Sequence, residues 1–149
     1  MSAAWVYDDG GRKAAGFKGE AGDCGVRAAA IALQLPYRRV YRELDDMTKA
    51  SPLRRAKYAR NLGRGSPNYG VWKQVFHAFM ERHGWRWVPL MGIGTGCRVH
   101  LSASELPRGR IVCSCSRHYV AVVDGVARDT YDPTRGGTRC VYGYWTKEQ

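Results

Sequence analysis

His118-Tyr119-Val120-Ala121-Val122-Val123-Asp124-Gly125-Val126-Ala127-Arg128-Asp129-Thr130-Tyr131 consists of two strand-forming runs folded about an Asp-Gly pair. Asp-Gly supplies the positive φ angles of a two-residue hairpin turn, and valine-rich runs flank it on either side. Such a turn pairs residue 118 with residue 131. Side chains alternate along a strand, so His118 and Asp129 share one face and Asp132 points away from it. Arg110–Cys115 continues the pattern as a preceding strand, with Cys113 and Cys115 on one face. Thr138–Trp145 closes the C-terminal third as an aromatic strand.

Upstream the pattern is helical. The alanine-rich run from Cys24 to Leu33 is a strong helix former, apolar on nearly every side with Arg27 its one charge, which suits a central buried helix. Asp23 stands at its N-cap position. Pro36 opens a second helix, in which Val40, Tyr41 and Leu44 form a stripe opposite Arg38, Arg39, Arg42 and Glu43. A third is expected from Ser66-Pro67 to His83, with Val71, Val75, Phe79 and Met80 inward and Gly84 as its stop. Trp85, Trp87 and Pro89 read as a strand and Trp5–Tyr7 as a short one. The polar, basic stretch Thr48–Asn68 is the expected partner-facing segment. Helices first and strands after give an α+β class: N-terminal helices packed on a C-terminal antiparallel sheet. One domain is expected over residues 1–149, with residues 1–21 largely irregular.

Composition narrows the function. The 149 residues are 44% hydrophobic, which suits a packed core rather than a disordered chain. No apolar run approaches the roughly 20 residues of a membrane span. Asp8 and Asp9 interrupt any leader-like pattern, so neither export nor membrane contact is expected. Five cysteines form an odd set without a disulfide framework, which points to a reducing cytoplasm. The net charge of +11, from 24 Lys and Arg against 13 Asp and Glu, favours acidic protein segments or nucleic acid as partners. No nucleic-acid-binding motif accompanies it.

Cys24 carries the clearest chemical signal. A thiol on the first turn of a helix sits where the backbone favours negative charge, and the thiolate is the nucleophile. His118 at the head of a strand, with Asp129 and Asp132 behind it, completes a nucleophile–base–acid order. Cys97, Cys113, Cys115, Cys140 and His100 lack zinc-knuckle spacing, and Gly92-Ile93-Gly94 lacks the ending of a phosphate loop. No metal and no organic cofactor is expected.

Asp23-Cys24-Gly25 at a helix start, the His118-Tyr119-Val120-Ala121-Val122 strand and Asp132-Pro133 behind it resemble the papain-like cysteine peptidases, most closely the C39 type. The chain also resembles papain-like proteins of actinobacterial phages, from Gly22 to about Trp145. The resemblance implies a papain-like fold with its site in the groove between helices and sheet. Cys24 would attack, His118 would transfer the proton, an acid would orient the imidazole, and the Cys24 amide would serve as one oxyanion donor. It places the acid on Asp132, whereas the hairpin geometry favours Asp129; Asp132 is preferred and both stay candidates. Where the family has an oxyanion glutamine this chain has Lys18, which would donate in its place.

The expected activity is hydrolysis of a peptide or isopeptide bond in an acidic protein or peptide substrate. The compartment is the cytoplasm, the host's if the chain is phage-encoded. The alternative is a papain-like fold of little or no activity, acting as a basic interaction protein for a host protein or nucleic acid.

Overall fold

The computed structural model describes residues 5–19, 21–55 and 65–147. β1 (Trp5–Tyr7) leads through a run of turns into α1 (Cys24–Leu33), α2 (Tyr37–Ala50) and a 3-10 turn at Pro52–Arg55. α3 (Lys73–Arg82) precedes β2 (Arg86–Pro89), β3 (Arg110–Cys115), β4 (His118–Val123), β5 (Val126–Asp129) and β6 (Gly143–Thr146). Three α-helices and a six-stranded sheet among the described residues make a mixed α+β fold. No helix among them is long and apolar enough to cross a membrane.

Ala28, Ala29, Ala30 and Ala32 give α1 its propensity and a thin flank that packs on β4. Gln34 closes the helix in the left-handed conformation, its N–H returning to the Ala30 carbonyl, and Pro36 then starts α2. α2 buries Tyr37, Val40, Leu44 and Thr48, spaced three and four apart. α3 begins at Lys73 rather than at Ser66-Pro67. Residues 66–70 close into a tight turn in which Ser66 and Gly70 exchange backbone hydrogen bonds of 3.0 and 2.9 Å, so those amides are unavailable to a helix. Of the expected partner-facing segment, Thr48–Ala50 belongs to α2, and residues 56–64 lie outside the described residues.

The strand order is β1-β5-β4-β3-β6-β2. The Asp-Gly turn sets the hairpin register, with Val123 facing Val126, Val122 facing Ala127 and Ala121 facing Arg128. The sheet is mixed rather than antiparallel, because β1 runs parallel to β5 with Tyr7 opposite Asp129. Three residues carry no sign of strand direction. β5 stops at Asp129 rather than Tyr131, and β6 starts at Gly143 rather than Thr138. Between them a 3-10 turn at Arg135–Gly137 and the backbone bond from Arg139 to Thr134 fold the chain back on itself.

Val112, Ala121 and Trp145 face the helices. Phe76 of α3 stacks on Tyr119 at 4.2 Å between ring centroids, and Trp145 meets Phe76 edge-on at 5.2 Å. Ile111, Cys113, Val120, Val122 and Ala127 turn to the opposite face, under Leu101, Leu106 and Val141. Cover on both faces explains why β3 and β4 read as near-continuous apolar runs. A disulfide joins Cys97, after β2, to Cys140, before β6, where cysteine spacing alone suggested no pairing. The partners are 43 residues apart, too far for a local motif to announce them. Cys24, Cys113 and Cys115 are free.

Gly143 is where β6 passes closest to β2. A Cβ there would strike the Trp87 ring and lie 2.8 Å from the Val88 carbonyl oxygen. Gly143→Ala is expected to destabilise the fold by about 1–3 kcal/mol in urea denaturation, the usual cost of overpacking. An unchanged midpoint would show that the β2–β6 contact yields freely.

Candidate active site

Asp23 occupies the N-cap position of α1 but makes no capping hydrogen bond. Its carboxylate is 1% exposed and turned inward. Arg27, one helical turn on, pairs with Oδ1. The Tyr37 hydroxyl donates to Oδ2 at 2.5 Å, and Arg12 Nη1 lies 3.4 Å from the same oxygen. With its acceptors engaged by these donors, Asp23 leaves the amides of Cys24, Gly25 and Val26 without an acceptor among the described residues; the first helical bond is Arg27 N–H to the Asp23 carbonyl. The positive end of α1 therefore stays open beside the thiol.

Arg12 reaches this point because the N-terminal segment lies directly on α1. Gly10, at φ 70°, brings its backbone so close that a Cβ would lie 3.0 Å from the Arg27 Cα. Besides Asp23, Arg12 donates to the Tyr37 hydroxyl (2.8 Å), Asn68 Oδ1 (3.3 Å) and the Lys18 carbonyl (3.2 Å). Burial lowers the basicity of both guanidiniums, and their ion pairs and hydrogen bonds more than restore it, so Arg12 and Arg27 stay charged.

Arg27 is the hinge of the arrangement. Its Nη2 lies 3.2 Å from Asp129 Oδ1, which also accepts the Thr130 amide at 2.7 Å. Asp129 Oδ2 accepts from His118 Nε2 at 2.6 Å, and Cys24 lies near enough to the same imidazole for each to shift the other's titration. With Nε2 taken by Asp129, Nδ1 is the ring nitrogen without a carboxylate partner. The Tyr131 hydroxyl sits 3.4 Å from each ring nitrogen. A continuous file of alternating charge thus runs from Arg12 through Asp23, Arg27, Asp129 and His118 to Cys24.

The electrostatics follow from that file. Burial pushes the Cys24 thiol up, but the His118 hydrogen bond and charge, the Tyr119 amide and Arg27 together bring it below the ordinary thiol range. Burial disfavours the His118 imidazolium, and Asp129 and Cys24 overcome this to raise its pKa. Burial likewise disfavours the Asp129 carboxylate, and His118, the Thr130 amide and Arg27 hold it below the usual carboxylate range. The other free thiols go the opposite way. Burial pushes Cys113 well up and Cys115 up to about 11, so neither competes as a nucleophile near neutral pH.

Of the sequence-derived candidates, the structure brings together Cys24, His118 and Asp129. Asp132 is a correction: its Oδ1 accepts the Thr134 amide (2.9 Å) and hydroxyl (2.7 Å), and it makes no bond to His118. The unbulged register keeps Asp129 on the histidine's side, and the chain turns away before Asp132. Lys18 is exposed, with no bond to Cys24. Arg12, Tyr37 and Asn68 went unread in the sequence. Only the Asp23–Arg27 spacing of four residues carried a local signal of the network. Among the described residues no group of three or more His, Cys, Asp or Glu side chains is placed to hold a metal ion. Comparison of the chain with protein-family models, curated proteins and solved structures returns no match. Function has to be read from the chemistry of the site.

Two measurements test the network. His118, raised above its ordinary value, stabilises the fold fully below about pH 6.5 and loses that contribution as pH rises through its folded pKa. Asp129, held low, contributes above about pH 4 and loses its contribution as pH falls through its folded pKa. Within that window, Cys24 alkylation by iodoacetamide, followed by intact mass, should stay fast below the ordinary thiol value of about 8.5, falling only as the thiolate takes a proton. His118→Ala should move the profile up to that value; a parent profile already there rules out the ion pair. Separately, Arg27→Ala strands two buried carboxylates and should cost about 3–5 kcal/mol in chemical denaturation. A loss below about 1 kcal/mol would mean that water readily replaces the guanidinium.

Proposed function

We propose that the chain is a papain-like cysteine hydrolase that cleaves a peptide or isopeptide bond. The observation that carries this reading is His118 held by Asp129, with Nε2 to Oδ2 at 2.6 Å, while the same imidazole helps bring the Cys24 thiol below its ordinary range. Cys24 attacks the carbonyl as a thiolate, forming the C–S bond. The Cys24 amide, without an acceptor among the described residues, would receive the oxyanion. His118, as imidazolium, protonates the leaving amine, and an acyl-enzyme remains. The imidazole then deprotonates a water, which attacks the thioester and expels Cys24. Asp129 keeps the ring oriented and its charge favourable throughout, and Arg27 holds Asp129.

A competing reading is a basic binding protein of little or no activity. It is favoured by Lys18, which stands where the family has a glutamine and makes no bond to the thiol. One digestion decides between them. Incubated with a pool of peptides from a proteolysed cell extract and followed by mass spectrometry, the parent chain should generate new termini, and Cys24→Ser should not. Asp129→Asn should lower the rate by about 10³–10⁴-fold, the cost of losing the acid that fixes the tautomer. Asp132→Asn should leave it near the parent's. Cleavage absent from the parent, or retained by Cys24→Ser, sinks the hydrolase reading.

A further inference from the structure

A cleft of about 750 Å³ opens beside the triad, between the N-terminal segment, the start of α1 and the end of β5. Tyr131 forms the wall it shares with the site, since the hydroxyl of that residue lies 3.4 Å from both nitrogens of His118. A chain bound across Cys24 and His118 would continue past Tyr131 into this space. Tyr7 and Phe17 supply further aromatic wall, Tyr7 being 69% exposed.

The charges lining the cleft are unequal in their availability. Arg12 and Arg27 are buried and already engaged by Asp23 and Asp129. Asp23 is consumed by the same pairs. Asp9 points its oxygens at the backbone, accepting the Gly11 amide at 2.9 Å and the Lys13 amide at 3.0 Å. What remains are the ammonium groups of Lys13 and Lys18, both exposed and without an acidic partner among the described residues. An aromatic-walled cleft lined by two lysines without an acidic partner among the described residues is suited to an extended chain bearing carboxylates.

We infer that this cleft is the substrate-recognition site and that it takes the acidic side chains, Asp or Glu, of a peptide segment adjoining the scissile bond, read by Lys13 and Lys18. The inference rests on the hydrolase reading for its link to a scissile bond. It moves Lys18 from oxyanion donor to specificity residue. Because exposed pairs are individually weak, recognition is shared between the two lysines and falls with salt.

The test measures binding, so that it stands apart from turnover. Fluorescein-labelled penta-glutamate and penta-glutamine peptides are titrated with the full chain carrying Cys24→Ser, at low ionic strength, and read by anisotropy. The glutamate peptide should bind about tenfold or more tighter than the glutamine peptide, and Lys13→Ser/Lys18→Ser should remove roughly that factor. Arg39→Ser/Arg42→Ser, which removes the same charge from the outer face of α2, should weaken binding by less than about threefold. Equal losses in the two double variants would reduce the effect to net charge and overturn the inference. Equal binding of the two peptides would do the same. A single-stranded oligonucleotide of matched charge that binds more tightly than the glutamate peptide through Lys13 and Lys18 would overturn the assigned class. Selective glutamate binding without any cleavage in the peptide digestion would remove the hydrolase reading and leave the site. Cleavage without glutamate binding would do the reverse.

Discussion

One buried carboxylate, Asp23, organises the molecule. It sits directly before Cys24, almost wholly out of water, and draws in a guanidinium from its own helix, another from the N-terminal segment and a phenol from α2. Arg12 ties the N-terminal segment, and Tyr37 ties α2, to the start of α1. A lone carboxylate in that place would cost several kcal/mol. Surrounded as it is, Asp23 fixes where Arg27 points, and Arg27 fixes Asp129. The site is therefore assembled from the inside out, by charges that must satisfy one another.

The sheet supplies the other half of the geometry. The Asp124-Gly125 turn sets a register that carries Asp129 to the end of β5 beside the start of β4. β1 lies along the outer side of β5, and the Asp8 amide donates to the Asp129 carbonyl at 2.9 Å, so the acid's backbone is held from the β1 side. Phe76 packs α3 onto Tyr119 and Trp145 of this sheet. Rigid elements thus hold the thiol, the ring and the acid, which suits a site that needs sub-ångström placement.

Much of this was legible from residues alone, and the misses have physical causes. α1, β3 and β4 run as their propensity and patterning indicate, and turn arithmetic alone put Asp129 on the side of His118. The preference for Asp132 came from resemblance and lost to register. Asp23 reads as a cap because an acid before a helix normally is one; only tertiary partners, invisible to a local window, turn it inward. Arg12 is eleven residues from Asp23 across a glycine-rich loop, and no periodicity encodes that meeting. The expected start of α3 failed for a related reason, since Ser66 and Gly70 close a turn on each other and leave those amides no helical partner.

The alternating file of charges has a consequence for how this chain can change. Neighbouring members of such a file are energetically coupled, so a substitution at Arg12 or Tyr37, well away from sulfur, alters the background in which every other member is judged. Tolerated variants should therefore come as compensated sets rather than as independent steps. Mutational paths through this site are narrow, and the same residues that hold the fold together also hold the thiolate, so neither property can drift alone.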